Sequence, residues 1–185
     1  LDMAEGSVRY LAVEAINQAV MNVMMGKDIK YTDLINVLQD NEGKISMLQA
    51  NTIRMNELGS LTALEAQNNI NKVGSQGIKI PIGSVIGGQL LAGQGPRITV
   101  KIIPVGSVTT DFVTEFQNAG INQTKHKIYL KVKANVQIVV PTGSKKVEVA
   151  SQVPIAETII VGSVPNSYVN VDEKDKMLNL VPDDE

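Results

Sequence analysis

The segment KIYLKVKANVQIVV, Lys127–Val140, decides the fold class of this chain. Apolar residues alternate with polar ones from Lys127 to Ile138, a period that is typical of a β-strand with one buried face. The apolar set is Ile128, Leu130, Val132, Ala134, Val136 and Ile138, and the other side carries Lys127, Tyr129, Lys131, Lys133, Asn135 and Gln137. The segment therefore predicts a long strand in a sheet whose second face is either wet or covered by a partner.

Several neighbouring segments share this period and predict further strands. Pro81 suits an edge position in the first of them, because proline cannot donate to a ladder. Pro154 separates the last two. The predicted strands are Ile78–Ile82, Arg97–Pro104, Val108–Phe116, Lys145–Gln152 and Ile155–Val161.

The first third of the chain has helical spacing instead. An amphipathic helix is predicted from Met3 to about Met25, and a second from Asn51 or Thr52 to about Val73, ended by Gly74–Gly77. Between them, the turn formers of Asp40–Lys44 predict a β-hairpin with arms at Leu34–Gln39 and Ile45–Gln49. The first helix is expected to pack on the sheet, with partner binding or a membrane surface as alternatives.

Segregated helices and consecutive strands predict an α+β fold with a mostly antiparallel, curved sheet. We expect one domain over residues 1–170. It would comprise a helix–hairpin–helix–strand unit at 1–82 and a β-rich part at 83–170. Residues 171–185 are expected to form a polar tail.

Composition excludes several functional classes. The chain has 185 residues, a net charge of −2 and no cysteine, so disulfides, thiol nucleophiles and the usual zinc sites are excluded. No run of 18 apolar residues is present. The chain opens at Leu1 rather than Met, and we expect that an N-terminal segment has been removed, which could be a tag, a signal peptide or an anchor helix.

Motifs that could support catalysis, nucleotide binding or metal binding are weak in this sequence. The glycines Gly83, Gly87, Gly88, Gly93 and Gly95 lack the Gly-Lys-Ser/Thr ending of a phosphate loop, so a flexible binding loop or simple turns are expected. The lone histidine, His126, has no metal-ligand spacing and is expected to be a solvated residue at a strand end. Asp111 and Glu115 would lie about 13 Å apart on a strand, too far for paired acid–base work. No catalytic residue, metal or cofactor is expected.

Charge is distributed unevenly. Residues 97–146 contain eight basic and three acidic residues, a net +5 in a chain that is negative overall. Lys127, Tyr129, Lys131 and Lys133 share one strand face and are the candidate interaction face. The alternatives are a solubilising face that blunts edge pairing, a docking surface for an acidic partner or an anionic membrane, and nucleic acid. Nucleic acid is disfavoured because only Tyr129 could stack on bases.

Three strings resemble the YunB family of sporulation proteins: IKIPIGSVIGGQLLAGQGPRITVKIIPVGSVTTDF, AGINQTKHKIYLKVKANVQIVVP and VPIAETIIVGSVPNSY. They occupy residues 78–112, 119–141 and 153–168 in the family's order. The resemblance implies a mother-cell protein of spore formers, with an N-terminal membrane anchor and its bulk outside the cytosol. It carries over no catalytic residue, and Gly83, Gly87, Gly95, Pro96, Gly120 and Asn122 are expected to set turns.

Two functions follow as expectations. The first is a non-catalytic assembly or scaffolding domain at the mother-cell or outer forespore membrane, binding other sporulation membrane proteins and able to oligomerise. Its first 82 residues are similar in element order to ring-building domains, which is analogy of fold alone. The alternative is a domain that binds a lipid or small hydrophobic ligand between the long helix and the sheet. A wall hydrolase using Asp111 and Glu157 is a remote third.

Overall fold

The computed structural model describes residues 2–83, 93–141 and 143–162. Helices occupy the first part of the chain and long strands the second, which confirms the predicted α+β class. In chain order the elements are α1 (Asp2–Lys27), α2 (Tyr31–Leu34), β1 (Ile35–Gln39), β2 (Ile45–Ala50), α3 (Thr52–Gln76), β3 (Ile78–Pro81), β4 (Arg97–Pro104), β5 (Thr109–Asn118), β6 (Gln123–Val140) and β7 (Gly143–Val161).

Local capping explains where the second long helix begins and ends. The Asn51 side chain accepts a hydrogen bond from the Arg54 amide at 3.1 Å, which satisfies one free donor of the first turn of α3. Gly77 ends the helix with φ 67°, a conformation that favours glycine. The sequence did not predict the short α2, in which the Asp33 carboxylate accepts from the Lys30 amide at 2.8 Å.

Strand β6 is the centre of a five-stranded antiparallel sheet. On one side, β6 pairs with β5 over residues 124–133 and with β4 over residues 136–139. On its other side, β6 pairs with β7 along its whole length. Strand β3 extends the sheet beyond β4, and the hairpin β1–β2 forms a separate ribbon. The expected edge position of Pro81 is confirmed within the described residues.

The core lies between the sheet and the two long helices. The alternate residues of β6 predicted to be buried are buried, from Ile128 to Ile138. They pack against the apolar stripe of α1, for which Ile16 and Val20 are the largest contributors, and against Ile70 of α3. The helix–sheet interior is thus filled by aliphatic side chains.

Pro154 does not separate two strands, as the sequence analysis expected. Strand β7 runs continuously from Gly143 to Val161, and its register against β6 shifts between Ile128 and Tyr129. The shift leaves Ile155 without an opposite residue, which is a β-bulge. Because β7 pairs only with β6 in the described part of the chain, the missing N–H of Pro154 can be accommodated there.

Candidate interaction surface

The face of the sheet opposite α1 and α3, which we call the open face, carries the polar side chains of β6. The strand register identifies the neighbours of these side chains on β5 and β7. Glu115 and Glu157 both lie opposite Lys127, whereas Asp111 and Gln152 lie opposite Lys131. The candidate residues Lys127, Tyr129, Lys131 and Lys133 therefore do share one face, as predicted. Whether this face binds a partner stays a prediction.

The lysines of the open face differ in their electrostatic environment. The Glu157 carboxylate lies 3.1 Å from the Lys125 ammonium and 3.9 Å from that of Lys127. Lys131 and Lys133 have no ion pair with any of the described residues. Within the described residues, ion pairing on this face is therefore confined to its Lys125–Lys127 half.

Tyr129 lies between these halves and is half-buried. Burial raises the pKa of its phenol, and the nearby Glu115 carboxylate raises it further. The hydroxyl therefore stays protonated at neutral pH and donates its hydrogen bond to the Glu115 carboxylate. An aromatic ring flanked by lysines suits protein recognition, because its body is apolar and its tip is polar.

The structure corrects the expectation for His126. It is 2% exposed and lies on the helix side of β6, where it is neither solvated nor at the end of its strand. Its Nδ1 is 2.7 Å from the Tyr31 hydroxyl, and its ring stacks on Phe116 with 4.3 Å between centroids. Burial lowers the pKa of the imidazole, and Nε2 is buried without a partner in the described structure. Sequence could not reveal this, because Tyr31 and Phe116 come from other elements.

Two arrangements considered for chemistry, a metal-binding cluster and a carboxylate pair, are not found in the described residues. Among them, no group of three or more His, Cys, Asp or Glu residues could hold a metal ion. The hydrolase candidates Asp111 and Glu157 lie on strands at opposite sides of β6 and at levels four residues apart. Their backbones are thus roughly 16 Å apart, from strand spacings of ~4.8 Å and rises of ~3.3 Å. Paired glycosidase carboxyl groups lie within about 10 Å.

The glycine loop is described only at its base. The Gly83 amide donates to the Gln94 carbonyl at 3.0 Å, and the Ile82 amide to that of Pro96 at 2.9 Å. Gly93 and Gly95 have φ of 79° and 92°, which favour glycine. Gly87 and Gly88 lie outside the described residues, as does the tail predicted for residues 171–185. The proposed binding role of this loop stays a prediction.

The predicted apolar groove between α1 and the sheet is occupied by the core, but another groove exists. It has a volume of about 490 Å³ and lies between the β1–β2 hairpin and the end of β7. Its apolar lining is Ile45, Met47, Leu48, Ile160 and Val161. This groove was not predictable from the sequence, because the position of the hairpin against β7 depends on tertiary contacts.

Two comparisons with known proteins point to the same family. The family model described as "Sporulation protein YunB" matches residues 77–167, which include β3–β7. A curated relative, "Sporulation protein YunB" of Bacillus subtilis (strain 168), is 26% identical over 178 residues, covering 91% of this chain and 70% of the relative.

No solved structure matches the chain. In the part of the chain that the structure describes, no helix is long and apolar enough to cross a membrane. The family matches support a role in sporulation. The expected resemblance to the YunB family of sporulation proteins is confirmed.

Proposed function

We propose that the protein is a non-catalytic assembly domain in spore formation, which binds another sporulation membrane protein through the open face. The observation that carries the proposal is the Lys127–Lys133 segment, whose basic side chains project from a sheet face that neither long helix covers. Such a face offers a rigid platform, on which Lys131 and Lys133 form no ion pair with a described residue.

The chemistry of the partner follows from the charges. Lys131 and Lys133 form no ion pair with a described residue, and Tyr129 adds an apolar ring. An acidic protein surface complements this set, and charge pairing of this kind favours fast and specific association. A membrane anchor preceding Leu1, as the family resemblance implies, would hold the domain outside the cytosol beside such partners.

The proposal is tested by complementation of a deletion strain of a spore former. The Lys127→Gln/Lys131→Gln variant is expected to accumulate normally but to give fewer heat-resistant spores than the wild-type gene. Both side chains are half-buried on the open face. Loss of the Lys127–Glu157 ion pair is expected to lower the free energy of unfolding by about 1 kcal/mol at most.

The matched control is Lys27→Gln/Lys72→Gln, which removes the same charge from the helix side of the protein. It should restore spore formation fully. Equal spore yields from the open-face variant and the control would refute the proposed surface, and normal spores from the deletion itself would refute the proposed function.

A second candidate is suggested by the groove between the hairpin and β7. Its volume of about 490 Å³ lies in the range of small-ligand sites, and much of its lining is aliphatic. A small hydrophobic ligand would suit it. Native mass spectrometry of protein purified from sporulating cells should then show a bound mass that a Leu48→Arg variant lacks, and ligand-free wild type would count against this candidate.

A further inference from the structure

A second group of cations lies at the end of the open face where β6 turns into β7. Its members are Lys79, Arg97, Lys101 and Lys146, which we call the basic end. The register fixes their positions: Lys101 lies opposite Val139, Lys146 opposite Gln137, Lys79 opposite Thr99 and Arg97 opposite Pro81. All four side chains are exposed. Their grouping was not predictable from the sequence, because their common face depends on the pairing of β3, β4 and β7.

Ion pairs within the described part of the chain leave the charge of the basic end unneutralised. None of its four residues forms an ion pair with a described residue. The acidic side chain on this part of the open face is Glu148, which lies opposite Asn135. The opposite end differs, since Glu115 and Glu157 flank the lysines there. Positive charge on the open face therefore increases towards the β6–β7 turn.

The N-terminus of α1 lies at this same end. The Glu5 carboxylate is 2.6 Å from the Lys145 ammonium, and the Arg9 guanidinium donates to the Glu148 carbonyl at 2.8 Å. Further along α1, Asn17 contacts Ser151 at 2.6 Å. The helix thus runs away from the β6–β7 turn, and any segment preceding Leu1 would leave the domain beside the basic end.

We propose that the basic end docks on an anionic lipid surface, with the β6–β7 turn at the membrane and the axis of β6 directed away from it. The cations are dispersed over three strands rather than gathered in a pocket, which suits a plane of headgroups better than one discrete ligand. The two phenylalanines of the chain, Phe112 and Phe116, lie at the other end, so the basic end lacks their rings for stacking nucleic-acid bases.

The basic end lies too far from the lysines at the other end of the open face for both groups to contact one membrane surface. Lys127 lies twelve residues of β6 from Val139, the partner of Lys101, which corresponds to roughly 40 Å at ~3.3 Å per residue. The Debye length at physiological ionic strength is about 8 Å. Lysines at the far end would therefore contribute little to membrane binding. The inference goes beyond the assembly role and does not need Lys127 or Lys131.

The test uses the whole chain and vesicles of phosphatidylcholine with or without phosphatidylglycerol, separated by sedimentation at low ionic strength. Wild type should bind only the vesicles that contain phosphatidylglycerol, and added salt should release it. Each juxtamembrane lysine is worth about a fivefold change in partitioning, so Lys101→Gln/Lys146→Gln should bind about 30-fold more weakly. The matched control, Lys127→Gln/Lys131→Gln, has the same net charge and should bind like wild type.

Orientation is measured separately, since the chain has no cysteine and accepts a single spin label. A label at Ser144→Cys, beside the β6–β7 turn, should be shielded by vesicles from a soluble relaxation agent, and one at Gln117→Cys should not. Failure of wild type to bind, or equal weakening of the two lysine variants, would overturn the proposal. Binding of poly-glutamate but not of vesicles would overturn it in favour of an acidic protein. The spore yield of Lys127→Gln/Lys131→Gln reports on the proposed function independently.

Discussion

Gly74 is the position where the packing of α3 on the sheet is tightest. A Cβ atom added there would lie 1.9 Å from the Ile102 carbonyl oxygen of β4, whereas real Cβ contacts stay above 3.0 Å. The helix end or β4 must therefore move by about 1 Å in Gly74→Ala. The obstacle is backbone within a sheet, which cannot rotate away as a side chain would.

The magnitude follows from two opposing effects. Replacing glycine by alanine in a helix stabilises it by about 1 kcal/mol, whereas forced overpacking costs typically 1–3 kcal/mol and occasionally more. The rigid backbone contact favours the upper part of that range, so we expect Gly74→Ala to lower the free energy of unfolding by about 2 kcal/mol. For a chain of this size that corresponds to a Tm lower by about 4–8 °C.

Urea unfolding followed by circular dichroism measures this change, with Gly6→Ala of α1 as the control. A Cβ at Gly6 would meet no atom within 4 Å, so that variant should be as stable as wild type or up to about 1 kcal/mol more stable. Unfolding of Gly74→Ala at the same or a higher urea concentration than wild type would refute the close packing of α3 on β4.

Four further changes test other parts of the fold. Because burial lowers the pKa of His126, the unfolded chain binds a proton at this residue before the folded chain does as the pH falls below about 6.5. The free energy of unfolding of wild type should therefore decrease there by at most about 1.4 kcal/mol per pH unit. In urea unfolding, His126→Phe should show a smaller decrease between pH 7.5 and 5.5, and an identical decrease would contradict the burial of His126. Tyr31→Phe leaves Nδ1 of the His126 imidazole without its hydrogen-bond partner and should lower the free energy of unfolding by about 1–3 kcal/mol in the same assay. An unchanged urea midpoint would contradict this hydrogen bond. Asn51→Ala removes the cap of α3 and should cost about 1 kcal/mol in thermal unfolding, whereas Asn51→Asp, which keeps an acceptor, should cost less. Leu130→Ala, at a fully buried position of β6, should cost about 2–5 kcal/mol, and a cost below 1 kcal/mol would show that the residue is not in the core.

Elements with strong internal periodicity were predictable from the sequence. The alternation in Lys127–Val140 fixed both the existence of β6 and the assignment of its two faces, because side-chain direction in a strand follows residue parity. The hairpin around Asp40–Lys44 and the cap at Asn51 were predictable for a similar reason, since turn and cap chemistry is local.

Features that depend on pairing between distant segments were not predictable. That β4 and β5 share one edge of β6 is a matter of topology, and the basic end follows from it. The burial of His126 requires Tyr31 and Phe116, and the tolerance of Pro154 requires the edge position of β7. The candidate interaction face was predictable as a set of co-facial residues. The neutralisation of its Lys125–Lys127 half was not, because Glu157 comes from β7.

The most direct test of the open face as a binding surface is site-specific photo-crosslinking in sporulating cells. A photoreactive residue at Tyr129 should give a discrete protein adduct, and the same residue at Glu14, exposed on α1, should not. The adduct should weaken when Lys131 and Lys133 are changed to Gln. Crosslinking at Glu14 but not at Tyr129 would contradict the account, because the partner would then lie on the helical side of the protein.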